Sequence, residues 1–484
     1  MKQEFKAQIQ NLTNQLKFNQ AHDLLNKALE QTPNALHLLE LKVDVLEKQE
    51  AHFELLPVLT TLISLQPEQQ HWRYKKALVA TKAGKIELAE RLFAQCDATR
   101  FPFLALNLGH IYKAKGLSAN AAECYLAFIA DNAEQVGVGY WSLADLKDFT
   151  FTKQLIAQME LLLENEKLSI GNQALLQFAL GRAYEQAKNF ALSFERMAKA
   201  NQIMAQYRPF HRELFVQLIR NQVGCSQLPN RTSNEKVTPI FIVGMPRSGT
   251  TLTEQILSAH SLVESTDELP FIERIALSLE GPLGYAKNLS GLEEPQLTSL
   301  AESYLQQVDH YFERTPKYFI DKNPNNFLHI GLIKSLFPNA KIINVVRSPL
   351  DNAMGVYKQY FSAGHNYSYS LADIAFYWQG YLTLMQHWSA LYGDDIYHLS
   401  YEGLVKENQY EITQLLNYCG LEIEPECFTF YKSKRAVLTP SVSQVRQPIN
   451  NKAVGSWKRF QLQLEPYLTE FQQIEQKVDS LLKS

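Results

Sequence analysis

The run Pro239-Ile240-Phe241-Ile242-Val243 constrains this chain more than any other stretch. Short, apolar, β-branched and aromatic, it predicts a strand buried on both faces, as in a parallel sheet. It passes directly into Gly244-Met245-Pro246-Arg247-Ser248-Gly249-Thr250-Thr251, and then into Leu252-Thr253-Glu254-Gln255-Ile256-Leu257, which has helical spacing. Strand, glycine-bearing turn and helix in that order aim backbone N–H groups and a helix N-terminus at one anion. Arg247 adds a permanent charge, and Thr250 and Thr251 add hydroxyl donors. Gly244 and Gly249 have the spacing of the nucleoside-triphosphate turn G-x-x-x-x-G-K-[ST], but Thr250 stands where that turn needs lysine. Lacking the cation that bridges the outer phosphates, ATPase or kinase chemistry loses its central part.

The chain before this strand has a different character. Residues 1–200 carry no glycine-rich loop and read as successive helices. Pro33 and Pro67 are 34 residues apart and Pro102 follows 35 later; the first two close helical stretches that proline cannot continue. Gly84 precedes Ala89 and Phe93, and Gly116 precedes Ala121 and Tyr125, at equal offsets. A small residue there lets two helices approach while the large one fills the groove. A period near 34 with this pattern resembles the tetratricopeptide repeat, although residues 130–175 fit it poorly. Such an array offers a concave surface to peptides or protein partners and carries no chemistry itself; a non-repetitive helical bundle is the alternative. The expected division is a helical array over 1–225, a polar linker over 226–237 and an α/β domain over 238–484.

Composition narrows the remaining choices. At 484 residues, 46% hydrophobic and 20% charged, the chain is too long for one compact domain and too apolar to be disordered. Lys+Arg (47) nearly balances Asp+Glu (50), so any polyanion must be held by local geometry; nucleic acid is not an expected partner. The five cysteines are odd in number and form no CxxC, which argues against a disulfide framework or structural zinc and for a reducing cytoplasm. No cluster has metal-ligand spacing, so no metal is expected. With no signal-like start and no run of about 18 apolar residues, no membrane segment is expected either.

The string Pro246-Arg247-Ser248-Gly249-Thr250-Thr251 resembles the 5′-phosphosulfate loop of sulfotransferases that use 3′-phosphoadenosine 5′-phosphosulfate (PAPS). The arginine after proline is most similar to protein-tyrosine sulfotransferases and to bacterial proteins that fuse tetratricopeptide repeats to a sulfotransferase domain. The resemblance implies a tetratricopeptide-like α-superhelix followed by a P-loop-like, three-layer α/β domain with a parallel sheet. By the same resemblance Arg247, Ser248, Gly249, Thr250 and Thr251 would bind the 5′-phosphosulfate. Arg347, in Arg347-Ser348-Pro349-Leu350-Asp351 after the strand-like Ala340–Val346, would open the 3′-phosphate site. The family places a serine eight residues after that arginine; here it is Gly355, and a backbone N–H or Tyr357 is expected to substitute for the missing hydroxyl.

Further matches extend the resemblance. Glu268, eight residues after His260, maps to the tyrosine sulfotransferases' proposed base, with Asp267 as a rival, while His260 itself reads as a packing or capping residue. A carboxylate suits the removal of a phenolic proton of pKa about 10 as the S–O bond forms. Asp321-Lys322-Asn323-Pro324 would place Lys322 near the transferring sulfonate, forming with Arg247 an electrostatic clamp. Tyr401, in Tyr401-Glu402-Gly403-Leu404-Val405, would contact the nucleotide. In the late segment before and around Trp457, Ser441 and one of Lys452, Lys458 or Arg446 are candidates; Ser456 stands where the family often has lysine. The reaction so implied is sulfuryl transfer to an acceptor hydroxyl. A tyrosine of a protein or peptide, held by the repeats, is the leading acceptor, and a glycan or small molecule the runner-up. A repeat scaffold that binds nucleotide without turnover is the reading from a different class.

Overall fold

The computed structural model describes residues 2–15, 17–225, 227–233, 236–433, 435–437, 439 and 442–483. Two compact units form, over residues 1–133 and 134–484. Among the described residues, no helix is long and apolar enough to cross a membrane.

The first unit is helical. Its helices Lys2–Asn14, Leu36–Gln49, Gln70–Lys82 and Leu104–Ala114 begin 34 residues apart, each followed by a second helix: Phe18–Gln31, His52–Leu65, Ile86–Phe93 and Ser118–Asp131. Tight turns with positive φ reverse the chain within three of the pairs, at Glu50, Gly84 and Gly116. Leu36–Gln49 shows how the pairs join. Leu39, Val43 and Leu46 pack into one apolar cluster with Leu55, Leu59 and Trp72, whereas Leu41 and Val45 pack into another with Ile9, Ala21 and Leu25. A helix buried on two sides hands the core from one pair to the next, the behaviour expected of stacked units. Ala89, Phe93, Ala121 and Tyr125 are fully buried.

The second unit is built on a five-stranded parallel sheet of β1 (Thr238–Gly244), β2 (Val263–Ser265), β3 (Tyr318–Lys322), β4 (Lys341–Val346) and β5 (Ile396–Ser400). The order is β2-β3-β1-β4-β5. Strand alternation sends Phe241, Val243, Phe319 and Ile342 to one core and Ile240, Ile242, Ile320 and Ile343 to the other. The sheet therefore has helices and loops on both faces, and β1 at its centre is buried from Pro239 onward, as its apolar run predicts.

The division of the chain lies far upstream of residue 225. The helices Val136–Ala144, Lys153–Leu163, Ile170–Gln186, Phe190–Tyr207 and Arg212–Val223 belong to the sheet-bearing unit. Met197, Phe215 and Ile219 share one core with Phe241 of β1, and Phe215 stacks on Tyr377 at 4.4 Å. Buried Asn201 donates to the Tyr357 carbonyl at 3.0 Å. The last two of these helices share the core on one face of the sheet, and nothing in their helical periodicity distinguishes them from the helices before residue 133.

Candidate functional site

Every strand of the sheet delivers a site residue from its C-terminal end, where open parallel sheets bind ligands. Gly244 leads into the turn after β1, Ser265 leads toward Glu268 after β2, Lys322 closes β3, Arg347 follows β4 and Tyr401 follows β5. β1 lies between β3 and β4, so the chain crosses in opposite directions on its two sides and leaves a crevice beside the turn. The crevice is a cavity of about 820 Å³, lined among others by Arg247, Gly249, Thr250, Thr251, Glu268, Arg347 and Tyr401.

The turn is held from behind. Gly244 has φ 144° and a Cβ there would stand 2.5 Å from the Val345 carbonyl oxygen. Gly249 has φ 112° and a Cβ there would stand 2.6 Å from the Tyr401 ring, so both glycines are obligatory. Arg247 itself adopts φ 68°, in the left-handed region. Buried Asn352 donates to the Pro246 carbonyl at 2.8 Å, and Arg347 donates to the Arg247 carbonyl at 3.1 Å. Thr250 and Thr251 open the helix Thr250–Ser258, and the Ser248 hydroxyl is buried without a hydrogen-bond partner. Amides, a helix N-terminus and an unused buried hydroxyl converge there, a chemistry suited to an anion.

Glu268 and Lys322 form a layered pair. Lys322 is fully buried and its ammonium donates to the Glu268 carboxylate at 2.5 Å, while half of the Glu268 side chain faces the cavity. Beneath Lys322 lies Glu254, also fully buried, at 3.8 Å, accepting a 2.6 Å bond from Ser265. Burial pushes the Glu254 carboxyl up to about 7, against the pull of Lys322. Burial alone would lower the Lys322 ammonium, but Glu268, Glu254 and Asp267 outweigh it and hold it above its ordinary range. Lys322 thus stays charged behind Glu268 without itself lining the cavity. Asp267 has φ 60°, which turns its side chain away toward Arg435 at 3.6 Å; of the two adjacent carboxylates, Glu268 is the one that lines the cavity.

Arg347 is bound on several sides. Beyond its bond to the turn, it donates to the Ala453 carbonyl at 2.7 Å and lies 4.8 Å over the Tyr401 ring. Asp351 ties the late segment to the helix Pro349–Tyr357, accepting from Gly455 and Trp457 amides at 2.5 and 2.9 Å and from the Ser456 hydroxyl at 3.0 Å. Ser456, the departure from the family's lysine, is therefore an anchoring residue. Of the late basic candidates, Lys452 lines the cavity, and Arg446 is spent on the carbonyls of Ser433 and Arg435. Lys458 borders a separate depression with Lys188 and Leu462. Ser441 lies outside the described residues. His260 is buried, pairs its Nε2 with the Glu422 carbonyl at 3.1 Å and accepts at Nδ1 from the Leu262 amide at 3.1 Å.

Several residues of the cavity wall escaped the sequence reading. Lys147, in the bend after the helix Val136–Ala144, and Arg182, in the helix Ile170–Gln186, precede the sheet; Lys358 lies between β4 and β5, and Arg459 follows β5. Burial, and then the like charges of Arg182 and Arg347, lower the Arg247 guanidinium to about 10, with Asp145 opposing. No local motif marks these positions; only Lys358, three residues beyond Gly355, lies near one.

Against known proteins, residues 239–425 match the profile of the sulfotransferase family. That match falls within the α/β half of this chain. A protein of Aquifex aeolicus (strain VF5) described as uncharacterized is 33% identical over 383 residues, 76% of this chain and 50% of that one. This chain thus spans half the length of that relative. A putative protein-tyrosine sulfotransferase of Caenorhabditis briggsae is 25% identical over 225 residues, 45% of this chain and 80% of the relative. Protein-tyrosine sulfotransferase 1 of Danio rerio is 25% identical over 240 residues, 46% and 66%. The solved sulfotransferase domain from the curacin biosynthetic pathway aligns over 52% of this chain and 99% of its own, at 19% identity and a TM-score of 0.36.

Proposed function

We propose that this protein transfers a sulfuryl group from PAPS to an acceptor hydroxyl. The observation that carries the reading is the meeting, in one cavity, of the Arg247 turn, Arg347 and a carboxylate seated on a buried lysine. The turn amides, Arg247 and the hydroxyls of Ser248, Thr250 and Thr251 suit the 5′-phosphosulfate. Arg347 and Tyr401 suit the rest of the nucleotide.

Glu268 takes the proton of the acceptor hydroxyl as its oxygen forms a bond to sulfur, and the bond from sulfur to the bridging phosphate oxygen breaks in line. Arg247, which lines the cavity, offsets the charge that grows on the departing oxygen, and Lys322 adds its buried charge from behind Glu268. The acceptor proposed first is a tyrosine of a protein or peptide, for which the similarity to protein-tyrosine sulfotransferases is the support. The repeats of residues 1–133 are proposed to hold that substrate, as tetratricopeptide-type helix pairs with a 34-residue spacing.

Labelled PAPS with a set of tyrosine peptides tests the reading. Label should appear on tyrosine. Glu268→Gln should lower turnover by about 10²–10⁴-fold while 3′-phosphoadenosine 5′-phosphate still raises the melting temperature. Arg247→Ala should lose both. Label on sugars alone would remove the tyrosine assignment, and a melting shift with ATP but not with the bisphosphate would remove the donor.

A further inference from the structure

Resting on the donor reading above, we propose that Arg182, from the helix Ile170–Gln186, binds the second anionic group of the donor nucleotide together with Arg347. The helices of residues 134–223 then form part of the donor site and are more than a support for it.

Arg182 lines the cavity, and its Nε is buried without a hydrogen-bond partner. Its ion pair to Glu185 is long, 3.8 Å, and that carboxylate is already claimed by Lys358 at 2.8 Å and approached by Arg459 at 4.0 Å. Three cations therefore share one acid, and all three cations line the cavity. Arg347 adds a guanidinium whose Nε is also buried and without a partner. Gly355 leaves the wall between the arginines thin: a Cβ there would lie 3.4 Å from the Arg247 Cβ and 3.9 Å from the Arg347 terminal nitrogen, in open contact with both.

Like charges gathered in a half-desolvated wall repel one another unless an anion joins them. Guanidinium forks match phosphate oxygens two at a time, and a phosphate monoester carries the double charge that two arginines balance. The turn after β1 holds one anionic group with amides and Arg247. Arg182, Lys358, Arg459 and Arg347 add further cations to the lining of the same cavity, so a ligand with two separate anionic groups fits it better than one with a single group.

Calorimetric titration of the full chain with adenosine 3′,5′-bisphosphate and with AMP separates the possibilities. The wild type should prefer the bisphosphate. Arg182→Ala should weaken the bisphosphate by about 10- to 100-fold and AMP by less than about threefold, with Arg182→Lys recovering part of the loss. Melting temperatures of both variants without ligand report folding, and Arg182→Lys keeps the comparison valid if the alanine variant unfolds. Equal losses for both nucleotides, no loss for either, or a rise in KM confined to acidic acceptor peptides would overturn the assignment. A wild type that binds both nucleotides equally would instead overturn the donor reading, and this proposal with it.

Discussion

Residues 1–133 and 134–223 are written in one local code and do different work. Both are helix pairs reversed by tight turns, with positive φ at Glu50, Gly84 and Gly116 in the first and at Lys188 in the second. Both bring helices close over a glycine: a Cβ on Gly109 would stand 2.4 Å from the Tyr125 ring, and one on Gly181 would stand 2.6 Å from the Met197 side chain. Yet the first region closes its apolar clusters on itself, while Met197, Phe215 and Ile219 of the second are part of the sheet's core. The second also carries Arg182 and Lys147 into the cavity. Helical periodicity reports that a helix is amphipathic, and not what its apolar face meets.

The largest expected effect follows from where the chain is cut. A fragment of residues 134–484 should fold and show a melting shift with adenosine 3′,5′-bisphosphate. A fragment of residues 225–484 should aggregate, because it exposes the core that the missing helices cover. Equal behaviour of the two fragments on size exclusion and thermal melting would erase the distinction between the helical regions.

Single core truncations probe the same contrast at smaller scale. Phe215→Ala should destabilise the sheet-bearing unit by about 3–5 kcal/mol and lower the temperature of the ligand-sensitive transition. Leu62→Ala, at a fully buried position, should cost about 2–5 kcal/mol in the first unit and leave that transition in place. The glycines give a finer version. Gly181→Ala and Gly109→Ala should each cost about 1–3 kcal/mol through overpacking, but only Gly181→Ala should move the ligand-sensitive melt.

A pH-dependent effect lies in the sheet itself, away from both helical regions. Burial raises the Asp321 carboxyl to about 7, although Tyr304 donates to it at 2.7 Å. A carboxyl whose folded pKa exceeds its unfolded value holds more protons folded, so its contribution to stability falls as pH rises from about 4 to about 7. Asp321→Asn should remove that slope, and its stability relative to wild type should improve steadily across this range. Urea midpoints at several pH values measure it; a difference that does not vary with pH would mean that Asp321 is ionised throughout.

The legible parts of the site are those encoded over a few residues. The turn with Gly244, Arg247 and Gly249 follows from its string, since strand, positive-φ glycine and helix start are local geometry. Arg347 and Tyr401 could be placed because each directly follows a strand. Glu268 could be named but not separated from Asp267 until the backbone at Asp267 turned the two carboxylates apart. Lys322 was legible as a residue and not as a buried one, and Glu254 beneath it carried no signal, since a glutamate in a helix after such a turn reads as solvated. Arg446 and Lys458 look as plausible as Lys452 in the chain; backbone carbonyls claim the first, and the second borders another surface.

A helical repeat, a buried parallel strand and a glycine-bearing turn between strand and helix follow from the chain alone, because periodicity and turn chemistry act over a handful of residues. Packing assigned helices to the sheet-bearing unit, gave Glu268 and not Asp267 to the cavity, and brought residues 182, 247, 347 and 459 into its lining. Charges far apart along the chain meet only through packing. Their repulsion, and the anion that would relieve it, exists only after that packing is complete.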